Sequence, residues 1–373
     1  MKLVYLIKKH FKSVYINNFY KTQFKKNCLL CYITFPFVEK CDPYKHQNVW
    51  QVREIAKIIS SKGYNVDIID YDCKHCNFDK EYDLIFDISV SDNPIYENNI
   101  KDNAKKIIYF TGSNPTFSNE AEKKRIEDLY DRRGVRLCTR RQVDVFSNKI
   151  EEYDTFLMIG NDLNFSTYDT FNFKNRYLIP NTGYDFGNKI NYDLKSSTNF
   201  LFFGSLGCVH KGLDLLLEVF SEKDFPCTLF VCGLYEKESD FKKAFHNELY
   251  NTKNIISLGF LDINSKLFIE IASKCGYTVL PSCSEGQAGS IITCMSAGIV
   301  PIVSKVCGFN SDEAILLEDC TLSTIKETIL CLSKMNKKDL IKECLYYEHL
   351  SKTRFSQKSF TDSMARAIEE TIG

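Results

Sequence analysis

Leu280-Pro-Ser-Cys-Ser-Glu-Gly-Gln-Ala-Gly-Ser-Ile-Ile-Thr-Cys-Met-Ser-Ala-Gly298, followed by Val300-Pro-Ile-Val303, is the stretch whose reading decides the fold. A short apolar run ends at Pro281, a glycine-rich turn presents Glu285, and an apolar helical stretch begins near Ala288 to Ser290. A strand, turn and helix in this order put free helix N–H groups and the positive dipole end at the carboxyl edge of a parallel sheet, where they suit an anionic phosphate. Glu285 either accepts hydrogen bonds from hydroxyls beside that phosphate or merely caps the helix. The residues alone leave both readings open.

Upstream, a second loop has the same design. The run Phe200–Phe203 leads into Gly204-Ser-Leu-Gly-Cys-Val-His-Lys-Gly212, again just before a helical stretch. Lys211 either neutralises a pyrophosphate there or is a solvated lysine. Around these two loops the spacing predicts strands at 228–232, 255–258, 277–280 and 300–303, alternating with helices at 213–220, 241–249, 265–272 and 290–297. Near-continuous apolar strands are expected when helices cover both faces of a parallel sheet.

The first half has a similar rhythm. Strands are expected at 28–35, 65–69, 84–88, 106–110, 155–159 and 176–179. Gln47–Lys62 carries Val49, Val52, Ile55, Ala56 and Ile59 on one helical face and stops at Gly63, whereas 119–132 reads as a charged, exposed helix. The rhythm breaks in the turn-rich stretch from Pro180 through Lys195-Ser-Ser-Thr198. The expectation is therefore an α/β protein of two Rossmann-like doubly wound domains facing a cleft, 1–187 and 188–354, with a final helix at 355–373 packing back on the first.

Composition excludes several function classes. The 373 residues carry 48 basic and 48 acidic side chains, so the molecule has no polyanion-binding signature and no nucleic-acid partner is expected. No run approaches the ~20 apolar residues of a spanning helix, and Leu3–Ile7 is too short for a secretory core, which leads us to expect a cytoplasmic chain. One asymmetry remains: residues 1–38 contain no Asp or Glu but seven lysines. With Tyr5, Phe11, Tyr15, Phe19, Tyr20 and Phe24 interleaved, residues 1–26 either contact an anionic inner-membrane surface or form a solvated leader.

The 16 cysteines are scattered through strand-like and helix-like segments, which reads as reduced, buried thiols. Cys28/Cys31 and Cys73/Cys76 have zinc-ligand spacing. Alternation along a strand, however, aims Cys28 and Cys31 at opposite faces.

Gly204 through Leu217, Ile255–Leu261 and Pro281–Val303, in this order and spacing, resemble the C-terminal domain of retaining glycosyltransferases of family 4. The resemblance covers roughly residues 180–309 and implies the GT-B fold, with no metal or other cofactor and a nucleotide-sugar donor as substrate. It implies that Glu285 holds donor-sugar hydroxyls and that Lys211 faces the pyrophosphate. It also implies that Gln287, Ala288, Gly289 and Ser290 surround the phosphates, that Gly204, Ser205, Gly286 and Thr293 belong to the same donor site, and that Phe260 and Leu261 lie beside the base. Two positions depart from the family pattern. Thr293 replaces the second acid of the E-x7-E motif, and Ser205 replaces an arginine.

The acceptor side is expected in the first domain, at Lys45, His46 and Gln47, at Ser113 in Thr111-Gly-Ser-Asn-Pro115, and near Thr139-Arg-Arg141. The expected reaction moves a hexose-type sugar to a glycan or lipid-linked acceptor in cell-surface polysaccharide synthesis, with the departing phosphate taking the acceptor proton. A metal-dependent single-domain transferase using Asp70-Tyr-Asp72 is one rival. A nucleotide-sugar-binding partner without turnover is the other.

Overall fold

The computed structural model describes residues 14–39, 46–73, 76–89, 97–146 and 148–373. The first sheet contains β1 Tyr15–Ile16, β2 Lys26–Tyr32, β3 Tyr64–Asp70, β4 Tyr82–Asp87, β5 Ile100–Phe110, β6 Thr155–Ile159 and β7 Asn175–Ile179, in the order β1-β3-β2-β4-β5-β6-β7. All neighbours are parallel except β1, which pairs antiparallel with β3. Its helices are α1 Phe35–Val38, α2 Gln47–Ser61, α3 Pro115–Arg133 and α4 Asp162–Ser166.

The second sheet contains β8 Ser196–Phe203, β9 Thr228–Cys232, β10 Ile255–Gly259, β11 Cys275–Leu280, β12 Val300–Ser304 and β13 Ile315–Leu317, in the order β10-β9-β8-β11-β12-β13, all parallel. Around it lie α5 Leu213–Phe220, α6 Ser239–Ala244, α7 His246–Asn251, α8 Lys266–Lys274, α9 Gly289–Ser296, α10 Leu322–Leu332 and α11 Lys337–Thr353. The last helix, α12 Gln357–Ile372, lies on the first sheet, where Phe360, Met364, Ala367 and Ile368 are fully buried against residues of α2 and β7.

Strand order reverses between β8 and β11, which are adjacent and parallel. The crevice outside the carboxyl ends of such a pair is where doubly wound sheets bind ligands. The loops that leave these two ends are 204–212 and 281–288.

Four expectations are corrected. The helix expected to be exposed over 119–132 is exposed on one face only: α3 forms a seam between the two sheets, and Ile126 and Leu129 belong to the second sheet's core. The single helix expected over 241–249 is two, because Phe245 takes a non-helical conformation, φ −111° and ψ 24°. Residues 15–16 are not leader but the edge strand β1, fixed by the Tyr15 hydroxyl on Asp67 (2.6 Å) and by Phe19 packed on the core; residues 1–13 lie outside the described residues.

The last correction concerns the thiols. Cys28 and Cys31 do point into different cores, on opposite faces of β2. Cys73 and Cys76, expected reduced, form a disulfide.

Candidate functional site

Loop 204–212 is shaped by two glycines in left-handed conformation, Gly207 (φ 92°) and Gly212 (φ 74°). Gly212 starts α5, and a Cβ there would lie 2.5 Å from the Pro281 carbonyl oxygen, so only glycine lets the two loops close on one another. Glu238 holds the loop from beneath, accepting from the Gly207 and Cys208 amides. This geometry puts Lys211 next to the second loop, where its ammonium donates to Glu285 Oε1 at 2.5 Å. Ser282 Oγ donates to the same oxygen at 3.0 Å.

The pair is nearly enclosed: the side chains of Lys211 and Glu285 are 6% and 13% exposed. Burial works against ionisation of Glu285, but the positive charge around it, the Lys211 ammonium foremost, together outweighs that cost and holds the carboxyl below the usual carboxylate range. His210 precedes Lys211 in the same loop. It is buried, its Nε2 donates to the Ser284 carbonyl at 2.7 Å, and burial pushes its pKa down, so it is neutral at pH 7 and adds no charge.

The first domain closes over the second loop. Ser113 donates its hydroxyl (2.7 Å) and its amide (3.2 Å) to the Glu285 carbonyl, and Asn164 donates to the same oxygen at 3.0 Å. Gly286 is pressed onto two carbonyls: a Cβ would lie 2.4 Å from Thr111 O and 2.7 Å from Ile159 O. Gln287 is clasped by the turn that follows β7, its side chain accepting from the Asn181 amide (2.8 Å) while its own carbonyl accepts from Asn181 Nδ2 (2.9 Å).

At the start of α9 the Ala288 amide is bonded to the Cys307 carbonyl (3.1 Å). The next two amides, Gly289 and Ser290, belong to the first helical turn, which has no intrahelical acceptors for them. Gln47 reaches this point from α2, donating to the carbonyls of Gly289 and Thr182, both at 3.0 Å. Thr293 turns its hydroxyl onto the Gly289 carbonyl one turn back, at 2.9 Å.

The remaining expected residues are more scattered. Gly204 donates its amide to Cys232, and Ser205 is exposed. Phe260 stands 69% exposed just beyond β10, two strands from β8, while the adjacent Leu261 is buried. His46 caps α2, its Nδ1 accepting from the Asn48 amide. Lys45 lies outside the described residues. Asp70, from the rival metal motif, commits both carboxylate oxygens to Thr34, at 2.9 and 2.8 Å, and so holds the turn after β2. A cavity of about 550 Å3 lies away from the cleft, between α4, β7 and α12, lined by Arg176, Arg366, Asp162 and Asp169 among others.

Sequence reasoning named Gln47 and Ser113 in the first domain but missed other residues which that domain contributes. Glu122, from α3, is 1% exposed and accepts from the amides of Arg140 (2.8 Å) and Arg141 (2.9 Å) and from the Gln142 side chain (2.8 Å). This carboxylate clamp sets residues 140–142 against loop 204–212. Asn161 and Asn164 were missed as well, and an isolated asparagine in a loop carries no signal by which to find it.

Residues 197–334 match the family model described as Glycosyl transferases group 1. A search of curated proteins returned no match. Among solved structures, sucrose-phosphate synthase from Thermosynechococcus elongatus is similar with a TM-score of 0.61 at 13% identity, over 93% of this chain and 99% of that one. HepE of Anabaena, in complex with UDP and glucose, gives 0.56 at 12% identity over 93% and 99%. A TarM mutant from S. aureus, in complex with Fondaparinux, alpha-GlcNAc-glycerol and UDP, gives 0.54 at 14% identity over 78% of this chain. The chain spans about half the length of the TarM structures, 54% and 55%. The C-terminal domain is therefore of the glycosyltransferase group 1 type, set in a two-domain GT-B fold.

Proposed function

We propose that this chain is a retaining glycosyltransferase that moves a hexose-type sugar from a nucleotide-sugar donor to a glycan or lipid-linked acceptor, without a metal ion, in cell-surface polysaccharide synthesis. The observation that carries the reading is the Lys211–Glu285 pair at the strand-order reversal, beside the first turn of α9, which no side chain caps. Lys211 and the Gly289 and Ser290 amides are suited to a diphosphate, and Glu285 to the hydroxyls of the sugar attached to it. In this mechanism the acceptor attacks on the leaving-group face and the departing phosphate takes its proton. The protein then supplies orientation and charge stabilisation. UDP is the nucleotide to try first, since solved structures of similar fold carry it.

Thermal melting against UDP-, GDP-, ADP- and CMP-sugars tests donor binding, because a ligand of the native state raises the melting temperature. Glu285→Ala is expected to lower transfer by at least ~100-fold, the order seen when a stabilising contact is removed from the reacting centre. Transfer at the wild-type rate by this variant would sink the assignment.

A second reading is favoured by the closed cleft. With Gly286 seated on Thr111 and Ile159, and Gln47 at the start of α9, the chain is a nucleotide-sugar-binding partner without turnover. Donor binding with neither hydrolysis nor transfer would establish it. Membrane contact belongs to the same proposal: exposed Tyr20, Phe24, Lys21 and Lys25 form a basic aromatic edge. Co-sedimentation with anionic vesicles that survives Lys21→Glu with Lys25→Glu would remove it.

A further inference from the structure

A nucleoside diphosphate brings two or more negative charges into a site whose own positive charge is already committed. Lys211 is neutralised by Glu285 at 2.5 Å, and His210 is uncharged at neutral pH. The second domain's loops at this crevice, 204–212 and 281–288, contain no other cation. The side chain that answers this deficit comes from the first domain.

Arg141 is exposed, and its guanidinium makes no hydrogen bond or ion pair with any described residue. Its backbone is nevertheless fixed, because its amide donates to both oxygens of the buried Glu122 at 2.9 and 3.1 Å. Its stem lies across loop 204–212 at Gly207, which has no side chain. A Cβ on Gly207 would fall 2.6 Å from Arg141 Cγ and 3.1 Å from Cδ. The glycine thus serves the left-handed turn and also clears a channel for the arginine. Its positive charge reaches Glu285, where it contributes to holding the carboxyl down.

We propose that Arg141 is a diphosphate-positioning residue, supplying from the first domain the second positive charge that Lys211 alone does not provide. The inference rests on the nucleotide-sugar reading above and adds to it a dependence on domain closure. The diphosphate is gripped only when the loop held by Glu122 stands against loop 204–212. Ser205 lies two residues before Gly207 in the same loop and is exposed, so an arginine placed there can reach the same space from the second domain.

The test is calorimetric titration of the full chain with UDP and, separately, with UMP. A charge-assisted contact to phosphate contributes about 1.5–3 kcal/mol, so Arg141→Ala is expected to weaken UDP binding roughly 10- to 100-fold and UMP binding less. Arg141→Lys should keep most of the affinity, and Ser205→Arg added to Arg141→Ala should restore it. Melting temperature is followed for each variant, and restoration by the double substitution excludes a folding defect as the cause. If Arg141→Ala binds UDP like the wild type while Lys211→Met has lost it, the role of Arg141 is overturned and the nucleotide-sugar reading stands. If the wild type binds neither UDP nor GDP, ADP or CDP, both fall.

Discussion

Lys211 and Glu285 show what enclosing an ion pair does to a site. Each partner is held out of water, so deleting one leaves an uncompensated charge, at a cost of about 3–5 kcal/mol, whereas removing both leaves none. Lys211→Met is therefore expected to lower the melting temperature by several degrees, and Lys211→Met combined with Glu285→Gln to recover much of the loss. Urea titration of the three proteins checks this. The pH dependence has a definite sign. Because the Glu285 carboxyl is held below its unfolded value of about 4.3, the pair's contribution is fully present above that pH. It is lost as pH falls through the lower folded value. Below about pH 4 the wild type should lose more stability than Glu285→Gln, as melting curves over pH 3 to 7 would reveal.

Among single residues, Lys211 and Glu285 were legible because each sits in a loop between an apolar run and a helix, where the local pattern states its position. Arg141 stood out only as local positive charge on the acceptor side, and Glu122 not at all. Their meaning arises from a contact between domains, and local sequence does not encode which distant loop a charged side chain will meet.

Helix α3 makes the same point over a longer stretch. Its sequence is so charged that it reads as a solvated surface, yet three of its arginines are spent across the seam. Arg125 donates to the Pro281 carbonyl at 3.0 Å, Arg132 pairs with Asp214 at 2.6 Å, and Arg133 with Glu248 at 2.7 Å. Periodicity assigns charge to solvent, and an interface satisfied by ion pairs defeats that assumption. The strands of the second sheet were legible for the opposite reason: they are buried on both faces, and their apolar runs have few competing explanations. The three-residue strand β13 is too short to announce itself. One close contact between the domains is testable. Gly286→Ala would push a Cβ to within 2.4 Å of a fixed carbonyl, so the domains must part. The expected outcome is a lower melting temperature with a larger radius of gyration in X-ray scattering.

The chain crosses between domains twice, once after β7 and once between α11 and α12. The two crossings are tied where the Gly183 amide donates to the Phe355 carbonyl at 2.7 Å. The tail is also part of the first domain's core. Ending the chain after Thr353 removes Phe360, Met364 and Ile368, all fully buried. At about 1.5–3 kcal/mol each, that loss approaches the 5–15 kcal/mol that holds a whole domain together. In limited proteolysis of such a truncation, the first domain is expected to be digested while residues 196–353 persist.

This placement of α12 reaches back into the birth of the molecule. Domains usually fold in the order in which they leave the ribosome. Here the first domain emerges lacking the helix that seals it, and must wait for nearly all of the second to be made. At ~5–20 residues per second that delay is on the order of 10–40 s. During it, the face of α2 and the sheet destined for Phe360 and Met364 stay uncovered, while the second domain, complete by residue 353, can close first. The domain made first is thus the one finished last, and for that interval the nascent chain carries an apolar surface for a chaperone to hold.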